Sequence, residues 1–141
     1  MENSQVSFER SEDWPRIMRE LIAQHMAQPF SWGGSDCAFV FEIVRAMTGR
    51  DILVDIRGYT SEAGALKRLN QAGHSNTLSL VQEHFVEIAP EMAQRGDIGY
   101  PRTIAHPLMS PAIIDGANAF SKDPSGGIVI PRSGIARAWR V

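Results

Sequence analysis

The stretch PFSWGGSDCAFVFEIV, residues 29–44, decides how this chain reads, because it holds the one cysteine among 141 residues. The thiol stands behind a Gly-Gly turn, at the expected start of an apolar helix beginning at Asp36 or Cys37. A thiolate is the nucleophilic form of cysteine. The unpaired amides and dipole of a helix N-terminus favour that anion and lower its pKa. The same amides can hold an oxyanion during attack on a carbonyl. Gly33-Gly34 permits a sharp turn and close approach of a substrate backbone. Asp36 is placed to cap the helix. Unpaired cysteines are also among the most buried residues, so Cys37 reads either as a nucleophile or as a small core residue.

Working outward, the helix continues through Phe39, Val40, Ile43, Val44 and Met47 until Thr48-Gly49 stops it. Being apolar on most sides, it is expected to be the central buried helix. Upstream, Ile17, Leu21, Ile22 and Met26 recur at helical spacing after Pro15, and Pro29 ends that helix. Residues 1–14 are expected to be a flexible segment, and 15–141 a single domain. Two shorter helices are predicted, one after Thr60-Ser61 through Leu66 and Leu69, the other after Thr77 through Leu80, Val81 and His84. Gly73 reads as the stop between them. From Gly96 the texture changes to short apolar runs separated by turn residues: Ile98 to Tyr100, Ala112 to Ile114, Ile128 to Ile130 and Ile135 to Trp139. Helices first and strands second predict an α+β domain, with an antiparallel sheet packed against the Cys37 helix.

Composition narrows the function. The chain is 43% hydrophobic and 21% charged with a formal net charge of -2, which argues against electrostatic binding to nucleic acid. No apolar run approaches the roughly 20 residues that span a bilayer. The polar, acidic start MENSQVSFERSEDW reads as neither a signal peptide nor an anchor. One cysteine with four scattered histidines lacks the spacing of a zinc site, and Asp51, Asp55 and Asp123 are too dispersed for a metal site. Neither G-x-G-x-x-G nor a P-loop occurs, so no cofactor is expected.

The 29–44 stretch resembles the nucleophile segment of the NlpC-type cell-wall peptidases, in which P-Y-x-W-G-G leads to D-C-S and a buried helix. RGDIGYP, residues 95–101, is similar to that family's later G-D-L-V strand. The chain looks closest to a small NlpC-like family encoded among bacteriophage tail genes, with W-G-x-x-D-C, T-G-R-D, R-G-D and a terminal A-W-R-V. Here these are Trp32-Gly33 with Asp36-Cys37, Thr48-Gly49-Arg50-Asp51, Arg95-Gly96-Asp97 and Ala138-Trp139-Arg140-Val141. The match covers roughly residues 15 to 141.

The resemblance implies a papain-like fold in which a helix cysteine faces a sheet histidine, itself oriented by a further polar residue. The implied reaction is hydrolysis of an amide in a peptidoglycan stem peptide, and a cysteine nucleophile needs a base within hydrogen-bond reach. The implied setting is a virion tail, made in the host cytoplasm, with other tail-tip proteins as partners. An alternative is a structural tail-tip component that has lost catalysis. Cys37 is the candidate nucleophile, and Trp32, Gly33, Gly34, Ser35 and Asp36 are the candidate oxyanion and groove residues. The family's H-x-G-I-x-x-G strand aligns with SPAIIDG, residues 110–116, which puts Ser110 where the histidine belongs. His106, four residues earlier, is the candidate base. Phe30 stands where the family has a tyrosine. Ser121, Lys122 and Asp123 occupy the region of the orienting residue. His25 and His84 are expected to be partly buried or on the surface, and His74 exposed in a loop. Asp97 is expected to fix a turn, and Trp139 to cover the edge of a last strand.

Overall fold

The computed structural model describes residues 9–102 and 110–141; His106 lies outside the described residues. Helix α1, Trp14–Ala27, starts with Pro15 in its first turn, where the missing N–H costs nothing. It buries Met18 and Ile22 and ends where Gln28 turns extended, just before Pro29. Helix α2, Phe39–Thr48, buries Phe39, Val40, Phe41, Ile43, Val44 and Met47. Each such side chain contributes about 1.5–3 kcal/mol on burial, so this helix is the axis of the core. Gly49 closes it in the left-handed conformation, at φ +79°, donating its N–H to the Arg45 carbonyl. Helices α3, Glu62–Gln71, and α4, Thr77–His84, are capped by side chains: Ser61 accepts from the Gly64 N–H, and Asn76 from that of Ser79.

One antiparallel six-stranded sheet follows. Its strands are β1 (Val86–Ile88), β2 (Ile98–Pro101), β3 (Ala112–Asp115), β4 (Asn118–Asp123), β5 (Gly126–Pro131) and β6 (Ile135–Arg140). Their spatial order is β1-β6-β2-β3-β4-β5. Because side chains alternate along a strand, one face presents Ile98, Tyr100, Ile113, Phe120 and Trp139 to the helices. The other gathers Ala112, Ile114, Ala119, Ile135 and Ala138 in a second, smaller core. The α+β architecture is the expected one, but two strands were not anticipated. β1 has three residues, and β4 is polar at four of its six positions.

The last strand also departs from expectation. β6 is not an edge; it pairs with both β1 and β2, so Trp139 is covered by neighbours rather than covering an edge. It is 1% exposed and meets Tyr100 edge to face, with ring centroids 5.5 Å apart. Asp97 does fix a turn. Its carboxylate accepts from the Gln94 and Val141 amides and from the Arg10 guanidinium. Arg10 also donates to the carbonyls of Arg95 and Val141, and the Ser11 N–H to that of Met47. The chain is therefore fastened to the sheet and to α2 before α1 begins.

Candidate thiol site

The loop that presents Cys37 is a small closed structure. Ser31 and Ser35 exchange two backbone hydrogen bonds of 3.0 and 2.9 Å, and Gly33 sits between them at φ +79°. A Cβ on Gly33 would overlap the Tyr59 carbonyl oxygen, so glycine is required there twice over, by backbone angle and by contact. Asp36 holds the next turn. One carboxylate oxygen accepts from the Gly33 N–H at 2.8 Å and from the Tyr59 hydroxyl at 2.6 Å, the other from the Ala38 N–H at 2.9 Å. The helix begins at Phe39, not at Asp36 or Cys37 as its apolar run suggested. Asp36 spends its bonds on a turn two residues wide, and this holds Cys37 just outside the helix proper.

These contacts occupy three of the candidate oxyanion amides, those of Gly33, Gly34 and Ser35. Gly33 and Ala38 donate to Asp36, while Gly34 and Ser35 donate to the Ser31 carbonyl. Trp32 stacks edge to face on Phe30, with centroids 4.7 Å apart, and forms one wall of a small apolar notch. Cys37, Phe41, Leu53, Ile56 and Tyr59 also line that notch.

Cys37 is 6% exposed, and the Ser110 hydroxyl donates to its sulfur. Ser110 stands two residues ahead of β3, at the position where the resemblance expects a histidine. The helix-terminus effect expected to favour a thiolate is outweighed. Burial, and then the adjacent Asp36 carboxylate, push the thiol up to about 12, with the Ser110 bond pulling weakly the other way. Among the described neighbours, nothing makes this sulfur ionise near neutrality.

Two contacts of the thiol loop were not anticipated, although Lys122 was among the residues in the region of the orienting group. Tyr59, from the segment before α3, brings a hydroxyl to Asp36, and burial together with that carboxylate raises its pKa. Lys122, on β4, is fully buried. Its ammonium donates to Ser35 Oγ at 2.7 Å and to the His25 carbonyl at 2.5 Å. Since Ser35 Oγ accepts from Lys122, its own proton is free for His25 Nδ1, 2.8 Å away. A neutral His25 then carries its proton on Nε2. Burial, and then the Lys122 charge, depress the His25 pKa. The three residues tie the thiol loop to the end of α1 and to the sheet.

The remaining histidines lie elsewhere. His74 is buried, not exposed as expected. Its Nδ1 pairs with Ser79 Oγ at 2.8 Å, because the chain after Gly73 folds under the start of α4. His84 is half-buried beside Arg50 at 3.3 Å. Ser121 donates to the Pro111 carbonyl, and Asp123 accepts from Ser125 in the following turn. Neither reaches Cys37 through a hydrogen bond in the described region. Beside the loop lies a recess of about 140 Å³ lined by His25, Gly33, Gly34, Asp36, Glu42, Arg57 and Tyr59 among others. Arg57 on its rim grips Glu42 with two nitrogens and Asp51 with a third bond. No cluster of three or more His, Cys, Asp or Glu able to hold a metal occurs among the described residues, and none of their helices is long and apolar enough to cross a membrane.

Comparison with known proteins bears on the fold. The fold is similar to that of the NlpC/p60 domain of the peptidoglycan hydrolase SagA, with a TM-score of 0.55 at 18% identity. The likeness covers 89% of this chain and 97% of that domain, and it shows the α+β, papain-like NlpC-type fold. No curated protein matches the sequence. A family model, described as a domain of unknown function (DUF6950), matches residues 9–141, and the chain belongs to that family.

Proposed function

We propose that this chain is a phage tail-associated thiol hydrolase that cuts an amide bond in peptidoglycan stem peptides, with Cys37 as nucleophile and His106 as base. The observation that carries the reading is the position of Cys37. It stands at the turn into a buried helix and meets the Ser110 side chain, two residues ahead of β3, within a fold shared with a peptidoglycan hydrolase domain. The tail setting, with its tail-tip partners and synthesis in a host cytoplasm, rests on the motif set around Cys37, Arg50, Asp97 and Trp139.

The chemistry sets the requirement. His106 takes the thiol proton as sulfur attacks the amide carbonyl, giving a tetrahedral oxyanion. Its collapse breaks the C–N bond, the amine leaves with that proton, and water then hydrolyses the thioester. The groups described around Cys37 favour the neutral thiol, so the base must come from outside them.

A second reading has its own observation. The serine donor at the histidine position and the upshifted thiol fit a scaffold that serves tail assembly without catalysis. Incubating purified cell walls with wild type, Cys37→Ala and His106→Ala, and following released peptides by mass spectrometry, separates the two. The hydrolase reading expects release by wild type alone. No release by any of the three supports the scaffold.

A further inference from the structure

Tyr59 is shared by three depressions: the notch at Cys37, the 140 Å³ recess at Asp36, and an open cleft of about 380 Å³ toward α3. That cleft is lined by Gly58, Thr60, Ser61, Lys67, Arg68 and Gln71 as well as Tyr59 and Gly64. We propose that it is a subsite for a carboxylate of an acidic peptide, so that a substrate reaching Cys37 past Tyr59 is anchored by its anionic end against Lys67 and Arg68. The proposal rests on the hydrolase reading for the identity of the reaction, but not for the binding.

Two neighbouring cations, Lys67 and Arg68, line this one cleft. Most guanidinium groups near the core are paired, as Arg57 is with Glu42 and Asp51, Arg95 with Asp115 and Arg137 with Glu87. Lys67 and Arg68 are exposed neighbours with no carboxylate in ion-pair range among the described residues. Arg68 lays its guanidinium beside Gly58, which at φ +96° carries no side chain to cover it. Ser61 Oγ accepts the Gly64 N–H as helix cap, which leaves its hydroxyl proton for a ligand. The cleft thus offers a planar guanidinium, an ammonium and a hydroxyl, and a guanidinium fork matches a carboxylate in two-bond geometry. A nucleic acid would need a far broader basic surface than two cations on a chain of net charge -2.

The test uses Cys37→Ala, so that nothing is turned over, and a matched pair of short peptides that differ only in a side-chain carboxylate or its carboxamide. Calorimetry should show the acidic peptide binding at least tenfold tighter, and Lys67→Glu/Arg68→Glu in the same background should abolish the preference while the circular dichroism stays unchanged. Equal affinity for both peptides, or a preference that survives the double substitution, overturns the subsite. Displacement of the acidic peptide by millimolar inorganic phosphate would mark a general anion site and overturn the peptide assignment. Preference with no wall digestion by wild type would sink the hydrolase reading and leave the subsite standing.

Discussion

Cys37 is governed by its burial and by two neighbours that act in opposite directions. Burial and Asp36 oppose ionisation, and Ser110 donates a bond too weak to compensate. An imidazole in place of the serine would change that balance, because His⁺ stabilises a thiolate as a full charge. In a His106→Ala background, Ser110→His is therefore expected to raise Cys37 alkylation at pH 7 by tenfold or more. The rate constant for iodoacetamide checks it, and an unchanged rate would show that residue 110 does not face the sulfur. The tight turn ahead of Cys37 was legible from Gly33-Gly34 and Asp36, because loop chemistry of that kind is local. Tyr59 and Lys122 were not legible. Their contacts to Asp36 and Ser35 span 23 and 87 residues, and neither side chain carries a local signature of being drawn into a site.

At the scale of elements, the decisive joint is the one between α1, the thiol loop and β4. Burial and then the Lys122 charge lower the His25 pKa there from its ordinary 6.5, the value that applies in the unfolded chain. His84 is depressed in the same direction, by burial and then by Arg50. A folded state that resists protonation binds fewer protons than the unfolded state. Stability is therefore complete above about pH 6.5 and falls as pH drops below it. Thermal melts are expected to show Tm decreasing from pH 7.5 to 5.5, with a shallower decline in His25→Gln; equal slopes would mean that His25 does not contribute. The second joint is Asp97, which ties Arg10, the β2 turn and Val141 together. Asp97→Ala leaves the Arg10 charge and two amides without their acceptor, and is expected to cost about 3–5 kcal/mol in urea unfolding. A loss below about 1 kcal/mol would contradict that network. β4 escaped the sequence reading for a related reason. Its Ser121 and Lys122 look solvated in a list of residues, yet both are buried, because each finds a hydrogen-bond acceptor inside.

At the scale of the molecule, a single helix-facing core joins α1 and α2 to β2, β3 and β6, with Trp139 among its largest members. Removing that ring by Trp139→Ala is expected to destabilise the fold by about 3–5 kcal/mol and to lower the urea midpoint accordingly. This part of the fold was readable from apolar periodicity, because α2 and strands β2, β3 and β6 are hydrophobic at nearly every core position. The strand order was not. Placing β6 between β1 and β2 depends on pairing partners, which no local pattern specifies. The scaffold brings the thiol to Ser110, two residues ahead of β3.

The most direct test is the pH dependence of Cys37 alkylation in wild type and in His106→Ala. The hydrolase account predicts a thiolate reacting well below pH 8 in wild type. In the variant, reactivity should retreat toward the upshifted thiol, near 12, that burial and Asp36 impose. Identical profiles, both of the upshifted kind, would contradict it.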